Sequence, residues 1–227
     1  MENPPKSQKE AKRATRRLKG ILSGLSSLLV LLLTKPAKQQ NSLDYLIYQD
    51  ILDKVEGYKT NQQNIMKVEY GELEYSGIQT LICTEGNPCR YPMITMTNFD
   101  TPIAELRTLP HIVIAAGLNG LDKIGPSSVI SFIDYLTEHQ GRYRSLLNEI
   151  VLIFLPLVNP NAYVEGQEGQ GIYRVAEDFP YLRKDNLCFS TAGARLINEV
   201  FNAHLVAAAL FFNVRNDGKY SIGKLKN

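Results

Sequence analysis

Residues 109–126 read LPHIVIAAGLNGLDKIGP, an apolar run that stops at Gly117 and gives way to a short polar turn and Pro126. An apolar run of this length bounded by Gly and Pro predicts a buried strand that feeds a loop and then a helix. In α/β enzymes such strand-end loops carry the chemistry. Here the loop carries Asn119 and Asp122, and the first functional question is what that pair can do.

The flanking sequence supplies the rest of an α/β pattern. Ser42 to Val55 has apolar residues at helical spacing, with Ser42 as a cap and Gly57 as a stop. Met66 to Tyr70 and Ile78 to Cys83 are short β-type runs separated by Gly71 and the Ser76-Gly77 pair, and they predict an antiparallel edge pair; Tyr91 to Thr97 adds a strand. After the strand Ile112 to Ala116, a helix is predicted over Ser127 to Glu138, its apolar face formed by Val129, Ile130, Phe132, Ile133 and Leu136 and its end marked by Gly141. Ile150 to Leu155 is apolar on both faces, the pattern of a central strand covered from both sides. Thr191 to Asn202 is a helix, and Leu205 to Phe212 is a last buried strand with Asn213 at its end. Gly166 to Gly171 lacks the Lys and Ser/Thr of a phosphate loop and reads as flexible loop. The alternation predicts an α/β fold with a mixed, largely parallel central sheet flanked by helices.

With 227 residues, 44% of them apolar, the chain suits one globular domain over residues 39–227. The net charge of +2 is concentrated at the start, which argues against a nucleic-acid partner. Basic residues from Lys6 to Lys19 precede the apolar stretch Ile21 to Leu33, the layout of a secretory signal or signal anchor in residues 1–38. At 13 residues the stretch is shorter than the ~20 of a spanning helix. The expectation is therefore entry into the secretory pathway, either secreted or anchored, with membrane contact through this segment alone. A buried N-terminal helix in a cytoplasmic protein is the alternative. Of three cysteines, Cys83 and Cys89 either close a small loop in an oxidising compartment, leaving Cys188 unpaired, or all stay reduced.

Three strand ends line up in order: GLNGLDKIGP (117–126), PLVNPNAY (156–163) and FFNV (211–214). Together they resemble the zinc carboxypeptidases of the carboxypeptidase A type, whose loops read Gly-x-His-x-x-Glu-x-x-x-Pro, Pro-x-x-Asn-Pro-Asp-Gly/Ala-Tyr and Phe-His. RVAEDFPY (174–181) is similar to the Asp-Pro-Asn-Arg-Asp-Phe-Pro-Tyr of some members. The resemblance covers roughly residues 42–223 and implies hydrolysis of C-terminal residues from peptides by a zinc-bound water.

The resemblance places the zinc ligands at Asn119, Asp122 and Asn213, where the family has two histidines and a glutamate. Hydrolytic zinc sites use imidazole nitrogens and a carboxylate with one position open to water, whereas an amide oxygen suits hard ions. No zinc or other cofactor is therefore expected, and the chain supplies no catalytic residue. His111, His139 and His204 stand in no ligand spacing and read as structural or surface residues. Ala176 and Glu177 occupy the family's Asn-Arg pair that clamps the substrate carboxylate, and Glu177 repels a carboxylate; Arg174 is a stand-in by position only. The family's general base lies beyond its third metal ligand, where this chain is expected to be C-terminally truncated. The resulting expectation is an inactive carboxypeptidase-like domain with at most a peptide or protein partner. Residual metal-dependent peptidase activity and a non-functional fragment are the alternatives.

Overall fold

The computed structural model describes residues 45–61, 64–71, 81–84, 86–169, 174–179, 189–214 and 220–224. The chain divides into two compact units, 1–44 and 45–227, and the second is described below. The basic-apolar start, the Ser42 cap, residues 76–80, 170–171 and 180–181, and Cys188 lie outside the described residues. Among the described residues no helix is long and apolar enough to cross a membrane.

In chain order the elements are α1 (Tyr48–Asn61), β1 (Met66–Gly71), β2 (Ile82–Thr84), β3 (Asn87–Pro88), β4 (Tyr91–Met96), α2 (Ile103–Leu106), β5 (His111–Ala116), α3 (Ile124–Glu138), α4 (Gln140–Leu147), β6 (Val151–Leu155), α5 (Pro160–Glu165), a 3₁₀ turn (Val175–Glu177), α6 (Ala192–Ala203), β7 (Val206–Val214) and β8 (Tyr220–Lys224). Six strands form one sheet in the order β1-β4-β6-β5-β7-β8. Its inner strands β6, β5 and β7 are parallel, and β1, β4 and β8 extend it with antiparallel pairings, so the sheet is mixed as expected.

Every residue of β5 and β6 is buried, which explains their apolar character on both faces. On one face Val113, Ala115, Val151, Ile153 and Leu155 pack with Leu196, Ile197 and Val200 of α6. On the other, α3 lies against β5 and β7, and its Phe132 meets Phe154 of β6 edge-on with centroids 5.9 Å apart. Each such aliphatic or aromatic side chain contributes about 1.5–3 kcal/mol on burial, so this two-sided core carries the fold. Outside α3, the α1 side chains Tyr58 and Lys54 both bond the Asp134 carboxylate, at 2.6 and 2.8 Å.

Five expectations are corrected. α1 runs through Gly57 to Asn61 instead of stopping at the glycine, since a single glycine inside a helix costs only about 1 kcal/mol relative to alanine. Met66–Gly71 does not pair with the Ile82 segment: it pairs with β4, from Met66↔Met96 to Gly71↔Tyr91, while β2 folds back on β3 in a separate two-stranded sheet. The reason is local, because Gly86 at φ +83° and the Cys83–Cys89 disulfide close a tight turn that uses the β2 backbone groups within it. α3 starts at Ile124 rather than Ser127, because the Asp122 carboxylate accepts the Gly125 amide at 2.8 Å. Gly141 does not end a helix but lies inside α4, where an exposed glycine costs only about 1 kcal/mol relative to alanine. Residues 206–212 of β7 are half-buried rather than buried, apart from Ala209, because only β8 lies outside β7 in the sheet.

Candidate functional site

Parallel pairing of β6, β5 and β7 brings their carboxyl ends to one edge of the sheet. The register ends with Ala115 beside Leu155 and Ala116 beside Phe212, so Gly117 and Asn213 are each the next residue on adjacent strands. The loop after β6 is zipped to the loop after β5: Val158 donates its amide to Ala116 O at 3.0 Å, and Asn159 to Gly117 O at 2.9 Å. Gly117 needs its positive φ of +65°, and a Cβ there would meet Leu157 Cδ1 at 2.7 Å.

Within this frame the first loop is tightly held. Asn119 Oδ1 accepts the Leu121 amide at 2.9 Å, and Asn119 O accepts the Asp122 amide at 3.0 Å. This side-chain-closed turn directs the chain into α3. Asp122 is 3% exposed, and its Oδ2 lies close to where a Cβ on Gly125 would stand, a point that also lies 3.1 Å from Phe212 O. Asp122 is therefore brought against the end of β7, where Asn213 is the penultimate residue, paired in register with Ser221. Asn119, Asp122 and Asn213, where the resemblance puts the ligands, thus lie near one another in the chain path. Their donors are two neutral amides and one carboxylate, with no imidazole nitrogen.

The first and second loops meet in a lysine–tyrosine pair that sequence reasoning missed. Lys123 Nζ sits 3.4 Å from the Tyr163 ring centroid and donates to Tyr163 O. Burial holds the Lys123 ammonium below its ordinary pKa, while nearby Asp122 opposes that shift. The Tyr163 phenol donates to Leu46 O, and burial, reinforced by the charges of Asp122 and Asp50, pushes it up to about 12. The only signal in the sequence was a lysine beside an acid in a polar turn. Asn159 caps α5 by accepting the Ala162 amide at 3.4 Å, and Asn161 Nδ2 donates to Ile82 O at 3.3 Å and Glu165 Oε1 at 3.0 Å. The Cys83–Cys89 sulfurs are bonded, and Asn161 thereby joins that hairpin to the rim of the strand ends.

The fourth segment borders the same edge through backbone packing. A Cβ on Gly193 would lie 2.7 Å from Val158 O and 3.1 Å from Val175, so the 3₁₀ turn sits over the loop after β6. Ala176 and Glu177 on that turn are exposed. Glu177 pairs with Arg174 at 3.3 Å, and Arg174 also pairs with Glu168 at 2.6 Å, so the stand-in arginine is an ion-paired loop residue. The neighbouring Asp178 is fully buried and accepts from Ser190 Oγ at 2.9 Å and Thr191 N at 2.6 Å, a tether that the sequence did not single out.

The histidines lie elsewhere: His111 and His204 flank the amino ends of β5 and β7, and His139 caps the end of α3. Among the described residues no three histidines, cysteines or carboxylates gather as metal ligands.

Residues 74–191, just over half of the chain, match the zinc carboxypeptidase family. No curated protein matches the sequence. Among solved structures, thrombin activatable fibrinolysis inhibitor superposes with a TM-score of 0.59 at 11% identity, covering 75% of this chain and 47% of that one. Carboxypeptidase A from Helicoverpa armigera gives 0.57 at 15% identity over 93% and 60% of the two chains. The bovine inhibitor in complex with tick carboxypeptidase inhibitor gives 0.55 at 10% over 75% and 61%. At these identities the likeness shows the fold, and the chain spans about half to three-fifths of the length of those proteins.

Proposed function

The chain belongs to the zinc carboxypeptidase family, and from that premise we propose that it is a catalytically inactive member, one that binds a peptide or protein at its strand-end edge without cleaving it. The observation that carries the reading is the donor set at the three ligand positions. Asn119 Oδ1 is engaged by the Leu121 amide, and Asp122 Oδ1 by the Gly125 amide at the start of α3. Asn213 adds a second amide where the family has an imidazole. Two amide oxygens and a carboxylate committed to a helix start do not fit zinc, which takes imidazole nitrogen in sites of this kind. No catalytic step is therefore routed through a metal at these residues.

The substrate clamp is altered in the same direction. Family arginines grip a terminal carboxylate in bidentate fashion, and Glu177 brings negative charge to that position. A partner recognised here is therefore an extended segment held along the loops rather than by a free C-terminus. The Cys83–Cys89 disulfide supports passage through an oxidising compartment, consistent with residues 1–38 acting as a secretory signal or anchor.

The experiment is zinc content of the purified protein by mass spectrometry, paired with release of C-terminal residues from a peptide panel and binding of the same peptides. Zinc content that Asp122→Ala leaves unchanged, no release and saturable binding of internal sequences are expected. Stoichiometric zinc with residue release would establish an active peptidase instead.

A further inference from the structure

The end of the sheet opposite the candidate site carries a second cluster of chemistry-bearing groups. His111 opens β5, and His204 joins α6 to β7. Their Nδ1 atoms lie 3.0 Å apart, with ring centroids 5.0 Å apart and planes tilted by 48°. His111 is only 6% exposed, and its Nε2 stands 3.2 Å from the carbonyl oxygen of Leu106.

A carbonyl can only accept, so His111 carries its proton on Nε2 and presents the Nδ1 lone pair to His204. Histidines that bind metals are held in this way, with one ring nitrogen donating to a backbone carbonyl so that the tautomer and ring direction are set in advance. His204 is half-buried. In the metal-free pair its Nδ1–H donates to His111, and moving that proton to Nε2 leaves two Nδ1 lone pairs converging on one point. At bond lengths of about 2.0–2.1 Å, nitrogens 3.0 Å apart subtend about 95° at a shared ion, the angle of adjacent ligands.

We propose that His111 and His204 form a binding site for a divalent transition-metal ion, with water completing its coordination. Two imidazole donors select copper, nickel or zinc over magnesium and calcium. Binding ties the amino ends of β5 and β7, whose pairing begins at His111↔Val206, and uses none of the strand-end residues. The site therefore stands whether or not the chain hydrolyses peptides.

The test is calorimetric titration of the full chain with Cu²⁺, Ni²⁺ and Zn²⁺ salts. Wild type is expected to take one equivalent, copper most tightly in keeping with the general affinity order of these ions. His204→Gln is expected to bind at least about tenfold more weakly, given that loss even of a supporting partner costs that much. His139→Gln is expected to bind as wild type does. Paramagnetic resonance of the copper form should show two coordinated imidazole nitrogens. Absence of binding by wild type, undiminished binding by His204→Gln, or fewer than two nitrogens on copper would overturn the proposal.

Discussion

Asp122 accepts the backbone amide of Gly125 at 2.8 Å, so its carboxylate serves as the start signal of α3. That bond accounts for the helix beginning before Ser127, and it spends one oxygen of the acid on the fold.

Asp122→Ala removes this acceptor at a position 3% exposed and leaves a helix-start amide without its side-chain partner. The expected loss is about 1–2 kcal/mol, read as a lower midpoint in urea denaturation with unchanged slope.

Gly120→Ala places a Cβ 2.2 Å from the carbonyl carbon and oxygen of Ala162 and 2.4 Å from Gln167 O. These are backbone atoms that cannot rotate away, so the first loop and α5 must separate. Destabilisation at the upper end of the about 1–3 kcal/mol typical of overpacking is expected, measured by thermal unfolding, whereas Gly57→Ala, with open space around it, should not destabilise.

Glu56 provides the pH dependence. Hydrogen bonds from Tyr70, then from Lys59 and Arg90, hold its carboxyl down to about 2 from an ordinary 4.5. A depressed acid stabilises the fold fully above the unfolded value and loses that contribution as pH falls through the folded one. Glu56→Gln should therefore flatten the stability profile between about pH 4.5 and 2, with little change in its slope above pH 5, as followed by denaturation midpoints across that range.

The disulfide spans a sequence separation of 6. Chain-entropy arithmetic for so short a loop gives about 2 kcal/mol, so the Cys83→Ser, Cys89→Ser pair should unfold at lower denaturant. Because Asn161 bonds Ile82 O, hydrogen exchange is expected to rise at both the hairpin and α5 rather than at the hairpin alone.

Local pattern determined much of this protein. The apolar runs of β5 and β6, Gly117 as the turn and the periodic face of α3 are short-range signals, because strand and helix burial repeats along the chain with fixed periods. The order of the strand-end motifs likewise made the family and the mixed sheet legible. Which strand pairs with Met66–Gly71 was decided by tertiary structure, since register depends on a partner that spacing does not name. The same holds for the Lys123–Tyr163 pair, 40 residues apart, for Asp178 reaching Ser190 and Thr191, and for His111 facing His204 across 93 residues. Side-chain chemistry can be read from residue types, but the groups that meet are set by how the loops close on the assembled sheet.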